Sequence, residues 1–110
     1  MRLPNSHQAV VDIVKLRAYS LNPNHPVGKH KARVFRAALG ITLKDADWLR
    51  ARALEVALSE DARPSALSVF GAKYVIDSVL ENNGMSAIVR FSWIIEFGTD
   101  FPRLTSCYVK

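Results

Sequence analysis

From Lys73 to Phe97 the residues alternate in character with a period of two on both sides of Asn82-Asn83-Gly84. No other feature of the chain constrains its fold as strongly. A period of two belongs to an extended strand with one buried face, whereas a helix would spread the same residues around its circumference. Asn and Gly tolerate positive φ, so the Asn-Asn-Gly step reads as a tight hairpin turn. The spacing predicts a strand over Lys73–Glu81 and a longer partner over Ser86–Phe97. Ala87, Val89, Phe91, Trp93, Ile95 and Phe97 share the face expected to meet the core, and Ile88, Arg90, Ser92, Ile94 and Glu96 share the other. Gly98-Thr99-Asp100 then turns the chain, and a third strand follows from Pro102 through Val109.

Upstream the period lengthens. Ile13, Leu16 and Ser20 lie on one side of a helix starting near Asp12. Asn22-Pro23 and His25-Pro26 stop it, because a residue before proline is pushed out of the α region. A second helix is expected from about Lys29 to Leu39, with Gly40 just beyond its end. Ala32, Phe35, Ala38 and Leu39 form its buried stripe. Thr42 caps a third helix, with Asp45 making a variant capping box, and this helix continues to about Ser59. Residues 60–65 read as a loop, Ala66–Gly71 is ambiguous, and Val10-Val11 is either a short edge strand or core packing. The expected class is therefore α+β. About three N-terminal helices (about 12–59) pack on a C-terminal antiparallel meander of three or four strands (about 72–109). With 110 residues, the whole forms one domain, 1–110.

Composition narrows the function classes. Apolar residues make up 49% and charged residues 23%, which suits a packed domain and excludes a disordered one. The net charge of +5 is compatible with nucleic acid, an anionic surface or an acidic protein. A single cysteine, Cys107, rules out an internal disulfide, and no Cys/His cluster has zinc spacing. No apolar run approaches the ~20 residues of a membrane span, and Met1–His7 lacks the apolar core of a signal peptide. The expected compartment is the cytoplasm, with no membrane, metal or cofactor. P-loop, nucleophile-elbow and zincin motifs are all missing.

The candidate chemistry clusters in His25-Pro26-Val27-Gly28-Lys29-His30-Lys31-Ala32-Arg33-Val34-Phe35-Arg36. Cations are ordinarily disfavoured at a helix N-terminus, where the macrodipole is already positive, so this concentration suggests an anion site. Lys29, Arg33 and Arg36 form one cationic stripe for substrate or partner binding. His30 is the acid–base candidate, since a histidine titrates near neutrality. Equally, it is a surface histidine on a solvated helix. Lys31 precedes Phe35 by one turn and so points toward the protein body, to snorkel, to pair with an acid or to stabilise phosphate charge. On the sheet, Arg90, Ser92, Arg103 and Thr105 would form a polar, basic floor suited to an RNA backbone if they meet across the ladder. The competing reading is an ordinary solvated sheet face. Arg103, Thr105 and Cys107 are expected on one side of the last strand, and Trp93 faces the core.

Leu3-Pro4-Asn5, Leu21-Asn22-Pro23, His25-Pro26-Val27-Gly28 followed by Lys31-Ala32, Gly71-Ala72-Lys73-Tyr74, Trp93-Ile94-Ile95 and Pro102-Arg103-Leu104-Thr105 resemble one bacterial family of about this length. It is a domain of unknown function, often encoded beside another small protein or found at the C-terminus of large toxin polypeptides. The order of helices and strands is also similar to the superfold uniting barnase, EndoU, colicin D and RelE nucleases. In that resemblance Lys29, His30 and Lys31 match the basic cluster, and Ser92 and Thr105 match the sheet hydroxyls. The chain departs from it in showing only three clear strands where four or more are usual.

Together these readings lead to an expected function: a ribonuclease-like toxin domain of a toxin–antitoxin or polymorphic-toxin system, cleaving RNA by metal-independent acid–base chemistry. His30, Lys31, Ser92 and Thr105 would be catalytic, with Lys29, Arg33, Arg36, Arg90 and Arg103 binding substrate. The expected partners are RNA and a small antitoxin or immunity protein encoded nearby. The alternative is a non-catalytic basic module that pairs with a small protein or with nucleic acid.

Overall fold

The computed structural model describes all residues, 1–110. Asp12 opens α1 (Ile13–Lys15), its carboxylate accepting the Val14 N–H at 2.9 Å. The helix continues as a π-helical turn over Leu16–Ser20, closed by the Leu21 N–H donating to the Leu16 carbonyl at 2.9 Å. The Pro23–Pro26 segment then re-aims the chain into α2 (Lys29–Leu39), and Gly40 ends that helix at φ 68°. A 3₁₀ turn (Leu43–Asp45) leads into α3 (Ala46–Ser59). There the Thr42 N–H donates to the Asp45 carboxylate at 2.8 Å, the capping box legible in the sequence.

Four strands follow as an antiparallel meander in the order β1 (Arg63–Leu67), β2 (Gly71–Asn82), β3 (Met85–Glu96) and β4 (Arg103–Val109). The β2–β3 hairpin closes at the Asn82–Met85 pair, with Asn83 at φ 51° and Gly84 at φ 79°. β1 corrects the expectation of a loop through Ser65 and extends into the ambiguous Ala66–Gly71 stretch, because it gives no alternation to detect. It contains Pro64, carries a bulge between Pro64 and Ala66, and is exposed along its whole length. On the opposite edge Val10 adds one parallel bridge to Arg103: its N–H donates to the Pro102 carbonyl at 2.9 Å, and its carbonyl accepts from Leu104 at 3.0 Å. No helix is long and apolar enough to cross a membrane.

The core lies between the helices and one sheet face. Phe35 and Leu39 of α2, Leu49, Ala53 and Val56 of α3, and Leu16 meet Ile76, Val89, Phe91 and Trp93. The β3 alternation holds through Trp93 and then departs from expectation. Ile94, assigned to the outer face, is 7% exposed, while Phe97, assigned to the core, is 65% exposed. β3 stops at Glu96, so Phe97 lies past the covered part of the sheet. Ile94 lies on the floor of a cavity whose walls include Asp12, Lys15 and Phe70.

Candidate functional site

The loop before α2 is built around two residues. The His25 Nδ1 accepts the N–H groups of Val27 at 3.0 Å and Gly28 at 2.9 Å, so the neutral ring carries its proton on Nε2. The His25 ring meets Tyr19 edge-on, with centroids 4.7 Å apart. Gly28 has an ordinary backbone conformation but sits hard against Tyr19. A Cβ there would lie 2.5 Å from the Tyr19 carbonyl oxygen. The glycine is what lets α2 start beside the π-helical turn.

This docking sets the phase of α2. Lys31 is half-buried, with its Nζ 5.6 Å from the Tyr19 ring centroid and 5.1 Å from that of Tyr108 on β4. Both are cation–π distances. No carboxylate lies within ion-pair distance of Lys31, nor of Lys29, Arg33 or Arg36. α2 thus carries four cations and no counter-charge, and Lys31 is the one held in place by rings. Lys31 and Arg36 are five positions apart, about 140° around the helix. Arg33 and Arg36 instead line a cavity of about 230 Å3 with Leu21, Asn22, Pro23 and Thr42. His30 is exposed and makes no side-chain hydrogen bond, and Lys29 is half-buried.

On the sheet the predicted basic floor is divided. Arg90 is bound to Asp77, its Nε and Nη2 donating at 2.8 and 3.0 Å. Arg63 and Lys110 also reach the same carboxylate, at 3.4 and 3.2 Å. The Arg90 hydrogen bonds, opposed by partial burial and helped by Lys110, hold the Asp77 carboxyl far below the usual carboxylate range. In return Asp77 raises the Arg90 pKa. Arg103 pairs with Glu96. Thr105 donates its hydroxyl to the Ser92 carbonyl at 3.1 Å. No cavity or contact joins Ser92 or Thr105 to His30.

A bulge explains the division. Ser92 pairs with Ser106 and Trp93 with Leu104, so Thr105 is an extra residue in β4. Arg103, opposite Ile94, stays on the outer face. Beyond the bulge the alternation reverses, which corrects the expectation that Arg103, Thr105 and Cys107 share one side. Cys107 pairs with buried Phe91 and is 1% exposed, while Tyr108 lies opposite Arg90. Burial pushes the Cys107 thiol up to about 12, against the Ser20 hydroxyl and the charges of Lys31 and Lys15, so it stays a neutral thiol.

The group brought together at the β4 edge is therefore Lys31 with Tyr19, His25 and Tyr108, and Arg90 beside Tyr108. The tyrosines carry no motif of their own. Tyr19 is placed by the turn that follows α1, and Tyr108 faces outward only because of the bulge. No group of three or more His, Cys, Asp or Glu side chains is arranged to hold a metal.

A family model described as a domain of unknown function, DUF6883, matches residues 2–110. No curated protein and no solved structure matches the chain.

Proposed function

The chain belongs to the DUF6883 family, a domain of unknown function, and we propose from its own geometry that it is a ribonuclease-like toxin domain, cleaving RNA without a metal. The observation that carries this reading is Lys31: a cation with no counter-charge, positioned between two aromatic rings at the edge of the sheet. Such a group suits an anion that arrives from outside, and a phosphodiester fits it. In the proposed reaction a base takes the proton of a ribose 2′-hydroxyl, whose oxygen attacks phosphorus. The P–O5′ bond breaks, and the departing oxygen takes a proton from an acid. Lys31 stabilises the charge gathering on the phosphoryl oxygens. His30, exposed and about 100° around α2 from Lys31, serves as the exchanging acid–base group, and Tyr108 and Arg90 flank the phosphate.

Two measurements test this reading. Induction of the wild-type chain in a bacterial host is expected to arrest growth and fragment cellular RNA. Lys31→Ala/His30→Ala is expected to remove both effects. Intact RNA and unimpaired growth with the wild type would overturn the proposal.

A second reading is favoured by Arg33 and Arg36, which line a cavity that Lys31 does not enter. Here α2 binds a small acidic protein through the Lys29–Arg33–Arg36 flank. That contact would weaken with salt and disappear on charge reversal at those three positions.

A further inference from the structure

The largest cavity, about 670 Å3, lies where the N-terminal segment joins β4, and three arginines enter it. Arg50 donates its Nε to the Val11 carbonyl at 3.0 Å, leaving its terminal nitrogens to the cavity. Arg17 has only a solvent-exposed 3.5 Å contact with Asp47. Arg103 forms the boundary with a second cavity of about 340 Å3, and Asp12 lines both, so the two make one groove across the β4 edge. The second cavity adds Lys15 and Lys73, neither within ion-pair distance of a carboxylate. Five cations thus face three carboxylates, Asp12, Asp47 and Glu96. Each end also presents an aromatic side chain: Phe101 in the first cavity, and Phe70, 70% exposed, in the second.

Excess positive charge along a groove with exposed rings is what a single-stranded nucleic acid requires: phosphates take the cations and splayed bases stack on the aromatics. A base-paired duplex keeps its bases stacked internally and cannot use Phe70. Both cavities are within the size range of small-ligand sites. We infer that this groove binds single-stranded RNA, with Lys15 and Lys73 on its phosphates and Phe70 stacked on a base. The inference rests on the proposed RNA-directed function and adds a site outside the basic helix.

The test uses the full chain and a fluorescein-labelled single-stranded oligodeoxynucleotide of about ten nucleotides, within the span such grooves cover. Lacking a 2′-hydroxyl, it is bound but not cleaved. Lys15→Glu/Lys73→Glu is expected to weaken binding at least about tenfold and to reduce the slope of log K against log salt by about 1.4. Phe70→Ala is expected to weaken binding about tenfold with the slope unchanged, which marks stacking rather than charge. All three side chains are exposed, so the variants keep the fold. Variants that bind like the wild type, or a duplex that binds as tightly as the single strand, would overturn the inference. Wild type that binds as described yet leaves RNA intact sinks the ribonuclease reading alone. Cleavage that survives with the groove variants unaffected sinks the groove alone.

Discussion

Gly28 shows how much one side chain can decide. The helix that carries Lys31 starts against the Tyr19 backbone, and a methyl group there would overlap the carbonyl oxygen at 2.5 Å. Gly28→Ala is expected to cost about 1–3 kcal/mol as the contact is forced apart. A lowered urea midpoint at unchanged m-value would register it. Asp77 shows the same economy in charge, with one carboxylate holding Arg90, Lys110 and Arg63. Because its folded pKa lies below the ordinary 3.8, its stabilisation is complete above that value. It is lost as the pH falls from there toward the folded pKa. Asp77→Asn is therefore expected to lower the melting temperature at pH 7 and to shrink the further loss on acidification below pH 4. Equal acid sensitivity in the two proteins would refute this.

Single elements depart from their sequence pattern where hydrogen-bond registers shift. Thr105 is the extra residue of β4, and the bulge that takes it up keeps Ser106–Val109 in register with β3. Removing Thr105 would leave a regular ladder with Cys107 still facing the core and Tyr108 still outward, so the deletion is expected to keep the cooperative thermal transition, and its loss would refute this reading of the bulge. Thr105→Ala keeps the backbone and is expected to keep the transition. At the other edge, β1 is exposed, interrupted by Pro64 and bulged, which are the features that discourage strand-to-strand association. Pro64→Val restores a backbone donor beside exposed Leu67, Val69 and Phe70. It is expected to produce dimers or larger species in analytical ultracentrifugation.

For the molecule as a whole, the net charge of +5 matters less than its distribution. Arg90, Arg63 and Lys110 are gathered on one acid, whereas α2 and the β4-edge groove keep cations without partners. The two surfaces should separate experimentally. Arg33→Glu/Arg36→Glu is expected to reduce retention on an anionic resin while shifting stability by no more than about 0.5 kcal/mol, because neither arginine makes an ion pair or a hydrogen bond. A large loss of stability would show that these side chains support the fold.

Local regularities were legible in the sequence alone. The α+β class, the bounds of α2, the Thr42–Asp45 cap, the Asn-Asn-Gly hairpin and the core face of β3 as far as Trp93 all rest on periodicity and turn chemistry, which neighbouring residues dictate. The inward lean of Lys31 was legible for the same reason, since it follows from its phase relative to Phe35. Its partners were not. Tyr19 and Tyr108 are distant in sequence, and one of them faces Lys31 only because a bulge reverses the alternation of β4. The same bulge sends Cys107 into the core, and long-range ion pairs draw Arg90 and Arg103 to Asp77 and Glu96. The groove of Lys15, Lys73 and Phe70 exists only where the N-terminal segment crosses the edge of the sheet. Such features depend on register and on which segments meet in space, and only the packed molecule decides these.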